Sequence, residues 1–138
     1  MEIYTKEEAL RQTFVALVCR IERIDDALII ALADDPKAPQ QGIELQQNSA
    51  SDPEDRNLGM ESYCVVDARG ETYYGGIEWC EFDEYSLRLQ FSREAAETFV
   101  CAGYDIVLTQ LTPKERSDLR SALRELFSAA PEAAHWDL

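Results

Sequence analysis

Carboxylates outnumber every other reactive side chain in this sequence, with 27 Asp and Glu against 13 Lys and Arg. Paired acids can move protons in glycoside hydrolysis or hold a hard cation through their oxygens. The tightest groupings are Asp34-Asp35 and Asp52, Glu54 and Asp55. Neither has the spacing of a calcium-binding loop, and in so acidic a chain carboxylates fall near one another by chance. Both groups read as solvated loops. Nucleophilic chemistry finds less support. Cys19, Cys64, Cys80 and Cys101 form no C-x-x-C pair, and each sits in an apolar or strand-like run. They are expected to be reduced, buried packing residues. The lone histidine, His135, lies close to the C-terminus, so a zinc site and a Cys–His pair both lack the residues they need. There is no G-x-S-x-G and no phosphate-cradling glycine loop. Tyr74-Gly75-Gly76 places two glycines inside a strand pattern, which marks a bulge or a close backbone approach. The sequence therefore assigns no catalytic residue, no metal and no cofactor.

The formal charge of −14 excludes nucleic-acid backbones as partners and disfavours anionic membranes. The surplus is localised. Asp25–Glu84 holds fifteen acids and only Lys37, Arg56 and Arg69 as bases, about −12, while the rest of the chain carries about −2. Such a surface keeps a protein soluble, or it steers a basic partner into place. Tyr63, Tyr73, Tyr74, Trp79, Phe82 and Tyr85 fall in the same region. Because alternate strand residues face opposite ways, Tyr73 and Trp79, or Tyr74 and Glu78, include outward positions. Core packing is one use for such residues, and a mix of exposed Tyr, Trp and carboxylates at a protein interface is the other. No apolar run approaches the roughly 18 residues of a membrane span. The N-terminal MEIYTKEEAL also lacks the apolar centre of a secretory signal, so a cytoplasmic location is expected.

The elements that must position these residues are legible in outline. Thr13–Ile24 and Ala27–Ala33 are apolar, β-branched runs separated by Asp25-Asp26, which suggests a hairpin without the usual turn glycine. The polar, two-proline segment Asp34–Gln41 is a loop, and Gly42–Gln47 is a strand with Ile43 and Leu45 on one side. Asn48–Gly59 is a long polar loop with room for one helical turn capped by Ser51 or Asp52. Met60–Ala68 and Thr72–Glu81 are strands flanking a turn ending at Gly70, and Tyr85–Phe91 alternates cleanly, with Tyr85, Leu87, Leu89 and Phe91 on one face. Ser92 caps a short helix that Cys101-Ala102-Gly103 ends, and Tyr104–Thr109 is the last strand. Thr112-Pro113-Lys114-Glu115 is a capping box opening a helix to about Ala129, with Leu119, Leu123, Leu126 and Phe127 on one face and Arg116, Arg120 and Arg124 on another. The expected fold class is α+β: a mostly antiparallel sheet, a C-terminal amphipathic helix packed on one face, and a short helix before the last strand. Residues 1–138 read as a single domain, with about 130–138 as a frayed tail.

Leu58-Gly59-Met60-Glu61-Ser62-Tyr63-Cys64-Val65, followed by Tyr73-Tyr74-Gly75-Gly76-Ile77, resembles the signature region of the Immunity protein 10 family. Ala31-Leu32-Ala33-Asp34-Asp35 and Leu87–Glu97 are also similar, so the resemblance spans roughly residues 14–128. It implies an α+β protein encoded beside a polymorphic bacterial toxin, including effectors delivered by type VI secretion. Such a protein protects its producer by binding the toxin. Toxins of these systems are frequently nucleases with basic active-site grooves, which an acidic inhibitor suits.

The expectation is thus a non-enzymatic immunity protein without a cofactor, whose partner is a cognate toxin rather than nucleic acid or membrane. The residues expected to face the toxin are Asp34, Asp35, Asp52, Glu54, Asp55, Glu61, Tyr63, Tyr74, Glu78, Trp79, Glu81 and Asp83. A secretion chaperone or adaptor, a small carboxylate-dependent enzyme and a homodimer through a sheet edge stay open on the residues alone.

Overall fold

A computed structural model describes residues 10–47, 63–128 and 135–138. Ten strands and two helices occur among them. The strands are β1 (Gln12–Val15), β2 (Val18–Ile24), β3 (Ala27–Ala33), β4 (Gly42–Gln47), β5 (Tyr63–Asp67), β6 (Thr72–Tyr74), β7 (Ile77–Phe82), β8 (Ser86–Phe91), β9 (Gly103–Val107) and β10 (His135–Asp137). The helices are α1 (Arg93–Phe99) and α2 (Pro113–Ser128). The α+β class holds, but the strands form two five-stranded sheets rather than one. The first sheet has the order β1-β9-β8-β7-β10 and the second β2-β3-β4-β5-β6. Pairing is antiparallel except at the two edges of the first sheet, where β1 lies parallel to β9 and β10 parallel to β7.

The division into two sheets happens at two corners that the sequence reads as continuous strands. Ala16 is fully buried at the first. Its N–H donates to the Val107 carbonyl of the first sheet at 2.9 Å, while the next N–H, of Leu17, donates to Ala33 of the second at 2.9 Å. Thr13–Ile24 is therefore one run serving both sheets. The second corner is Gly75-Gly76. The Gly75 N–H donates to Tyr63 in the second sheet at 2.8 Å, and the Gly76 carbonyl accepts from Ser92, at the end of β8 in the first, at 2.7 Å. Both glycines have positive φ, 73° and 92°. A Cβ on Gly76 would lie 2.7 Å from the Tyr73 ring and 2.8 Å from the Ala95 methyl, so both freedom and space require glycine there. Immediately beyond, the β7–β8 register slips between Ile77 and Trp79, a bulge.

Asp25 and Asp26 form the predicted hairpin turn with left-handed φ of 51° and 70°, a conformation that short polar side chains tolerate. The Thr112 amide donates to the Glu115 carboxylate at 2.9 Å and the Glu115 amide to the Thr112 hydroxyl at 3.1 Å, so the capping box of α2 is complete. The Ser92 hydroxyl accepts from the Ala95 amide and starts α1. That helix ends at Phe99, with the C-cap Val100 left-handed at φ 57° rather than with a glycine. Gly103 begins β9 instead: its Cβ would sit 2.0 Å from the Leu89 carbonyl oxygen. Where the sequence suggests fraying, His135–Asp137 pairs with Trp79–Glu81 at the edge of β7. The predicted helical turn within Asn48–Gly59 lies outside the described residues.

One apolar cluster joins both sheets and both helices: Leu28, Ile30, Leu32, Ile43, Leu45 and Val65 from the second sheet, Leu87, Leu89, Phe91 and Ile106 from the first, and Leu119, Leu123, Leu126 and Phe127 from α2. α2 packs on the inward side of β2 and β3, and the Phe127 ring meets Tyr63 edge-on at 5.5 Å. Burying these side chains contributes about 1.5–3 kcal/mol each. Tyr85 is the exception to the predicted alternation of β8. It precedes the strand and is 65% exposed.

Candidate functional site

With the core assigned to the inward positions, each sheet presents an outer face. On the first, strand register aligns Glu81, Arg88, Asp105 and Thr13 in one row and Trp79, Gln90 and Gly103 in the next. Arg11 lies across this face. Its guanidinium donates to both Asp105 carboxylate oxygens at 3.0 Å, to Gln90 at 2.7 Å, and to the Leu89 and Tyr104 carbonyls at 2.9 and 3.0 Å. Arg88 donates to Asp105 at 2.9 Å, approaches Glu81 at 3.8 Å, and stacks over the Trp79 ring at 5.6 Å. Burial alone would push the Asp105 carboxyl up, but the hydrogen bonds and charges of Arg11 and Arg88 hold it below the ordinary carboxylate range. Arg11, Arg88, Asp105 and Glu81 thus hold one another.

The outer face of the second sheet is built differently. One row runs through all five strands as Glu22, Ile29, Gln46, Cys64 and Tyr74, and the next as Arg20, Ala31, Glu44, Val66 and Thr72. Ile24 and Ala27 add an apolar corner beside the hairpin. Ile29, Ala31 and Val66 are half-buried, whereas Tyr74 and Ile24 are 44% and 53% exposed. Glu44 accepts a hydrogen bond from the Gln46 amide and forms no ion pair among the described residues. Among the described residues Glu22 pairs with Arg20, at 3.8 Å, with both side chains exposed.

The residues predicted to face a toxin do not gather into one patch. Tyr74 lies on the outer face of the second sheet; Trp79 and Glu81 point outward from the first, with Glu78 exposed in the bulge beside them. Asp34, Asp35 and Asp83 are loop residues whose carboxylates organise their own turns. Asp34 accepts from the Gln40 and Gln41 amides, Asp35 from Lys37 and Ala38, and Asp83 from Tyr85 and Ser86. The bonds from the Lys37 and Ala38 amides hold the Asp35 carboxyl below its usual range. The assignment of Tyr63 is corrected. It is 3% exposed, faces the core, and its hydroxyl accepts from the Ile77 amide at 3.0 Å across the Gly75-Gly76 corner. Asp52, Glu54, Asp55 and Glu61 lie outside the described residues.

Sequence reasoning missed Ile29, Glu44 and Val66. Both parities of Ala27–Ala33 are apolar, so alternation gives no outward face there; a polar residue every second position in β4 is the one usable signal. It also missed Arg11, whose five side-chain hydrogen bonds depend on β8 and β9, far away in sequence.

The cleft of about 400 Å³ between β2 and α2 contains the Cys19 thiol with Glu115 and Asp118. Cys19 is half-buried rather than buried, and burial together with those two carboxylates pushes its thiol up to about 11, so it is protonated at neutral pH and a poor nucleophile. Burial likewise raises the free thiols of Cys64, Cys80 and Cys101. Asp35 and Asp105 are both displaced downward, the opposite of a carboxyl poised as a general acid. Among the described residues no group of three or more His, Cys, Asp or Glu could hold a metal ion, and no helix is long and apolar enough to cross a membrane.

An α+β scaffold whose two sheets each present an outer face with charged, polar and aromatic side chains is suited to binding another macromolecule. The family model of Immunity protein 10 matches residues 15–116, well over half of the chain, and the chain belongs to that family. It is an immunity protein, and the partner of its class is a cognate toxin. No curated protein matches the sequence. The structure also explains part of the signature: Tyr63 and Tyr73-Tyr74-Gly75-Gly76-Ile77 build the corner between the sheets.

Proposed function

We propose that this protein neutralises a nuclease toxin of a type VI secretion system or another polymorphic-toxin system. It does so in the cytoplasm, without a cofactor and without catalysis of its own. The observation that carries the reading is the charge of −14, with about −12 of it between Asp25 and Glu84. A nuclease must present a basic groove to its substrate, and an acidic protein is drawn to the same groove by the same field. Inhibition then follows from occupancy: carboxylates stand where phosphates would bind, and the bulk of the inhibitor excludes the substrate. Exposed Glu78 and Glu81 and the loops carrying Asp34, Asp35 and Asp83 contribute to this field, as does the sequence segment with Asp52, Glu54, Asp55 and Glu61.

Co-expression of the full chain with the product of the adjacent gene tests the reading. Survival of the host, recovery of a complex, and weakening of that complex as salt rises are expected. Survival with toxin activity retained in the purified complex would instead indicate a chaperone or adaptor. A complex indifferent to salt would remove the electrostatic basis for a nuclease partner.

A further inference from the structure

Resting on the neutralisation reading, we infer that the outer face of the second sheet is the docking surface, and that its occupant is a basic surface of the toxin presenting Lys or Arg side chains. Three observations carry this. Register runs unbroken through all five strands of the sheet, so Glu22, Ile29, Gln46, the buried Cys64 and Tyr74 form one row beside that of Arg20, Ala31, Glu44, Val66 and Thr72, in which Arg20 turns to Glu22 and leaves Glu44 to a partner. Glu44 stands between half-buried Ala31 on one side and half-buried Val66 on the other, with the exposed Tyr74 at the edge strand. Glu44 accepts a hydrogen bond from the Gln46 side-chain amide and forms no ion pair among the described residues, so none of them competes with an incoming cation.

A Lys or Arg side chain suits such a surface at both of its ends. Its aliphatic stem lies on Val66 or Ala31, and its head reaches Glu44, directly opposite both. Tyr74 supplies a large, rigid contact at the margin. A second copy of this chain is a poor occupant, because each copy carries −14 and the two would repel. On the first sheet the central carboxylate, Asp105, is already held by two guanidiniums. To pair Glu81 or Asp105 with a toxin cation, Arg88 and Arg11 would first have to be displaced.

The test is binding of full-length variants to the catalytically inactivated product of the adjacent gene, by calorimetry at low and moderate salt. Circular dichroism serves as the check on folding. Glu44→Lys should weaken binding by at least about tenfold, most strongly at low salt, and Tyr74→Ala by about tenfold. Glu44→Gln, which preserves shape and hydrogen bonding, should lose about threefold to tenfold and guards against a folding artefact. Thr13→Lys, which adds a charge to the outer face of the first sheet, should bind within about twofold of wild type. Wild-type affinity in both Glu44 variants and Tyr74→Ala, or a large loss with Thr13→Lys, overturns the assignment of the face while leaving the neutralisation reading intact. A concentration-dependent dimer abolished by Glu44→Lys would give the face to self-association and overturn the basic occupant. If the wild-type chain forms no complex, the neutralisation reading itself fails and the docking surface with it.

Discussion

The outer faces of the two sheets have similar strand geometry and opposite economies of charge. On the first, Asp105 is held by two guanidiniums, Arg11 reaches two strands and a side-chain amide, and Arg88 closes over Trp79. On the second, Glu44 has only a neutral hydrogen-bond partner among the described residues, and apolar side chains stay half-exposed. A mutually satisfied lattice ties strands together and resists a new partner. An unsatisfied face adds little to folding and keeps its interactions for association. The contrast teaches that exposed carboxylates are not equivalent. Their value to a partner depends on what already holds them.

The comparison breaks hardest where the sheets join. Gly76→Ala forces a Cβ against Tyr73 and Ala95 at positive φ; a loss of about 2–3 kcal/mol is expected in denaturant unfolding, and both faces should loosen together. Arg11→Ala removes five hydrogen bonds from the first face and should cost about 2 kcal/mol, with toxin affinity retained once the protein is folded. Asp105→Asn sharpens the contrast through pH. The folded-state carboxyl lies below its unfolded value of about 3.9, so its contribution is present above that value and is lost as pH falls through the folded pKa. The variant should be about 1 kcal/mol less stable at neutral pH and show a shallower acid-side decline, which urea titrations between about pH 2 and 7 would reveal. Glu44→Gln should change stability by less than about 0.5 kcal/mol while still weakening the complex. A large destabilisation there would mean that the second face is structural after all.

Local signals carried much of the fold. The Thr112–Glu115 box, the Ser92 cap, the Asp25-Asp26 hairpin and the Ile43/Leu45 parity of β4 are contacts within a few residues, and each was legible. The splitting of Thr13–Ile24 between two sheets was not. Consecutive amides of Ala16 and Leu17 choose carbonyls some 90 and 16 residues away, and no periodicity encodes that choice. The candidate site suffered the same way. Tyr63 has the composition of an interface residue, but the corner turns its hydroxyl inward to Ile77. Asp34, Asp35 and Asp83 look like free charges until their turns are built.

The strand order has a kinetic consequence. The second sheet is a meander in which every strand pairs with its neighbours in the chain, so its hairpins can close as the polypeptide emerges. The first sheet has to recruit β1 from the beginning of the chain to β9 and then receive β10 at its other edge. In pulse-labelled hydrogen exchange during refolding, amides of β3 and β4 should gain protection before those of β1 and β9. The molecule would then acquire its binding sheet early and lock its framework last.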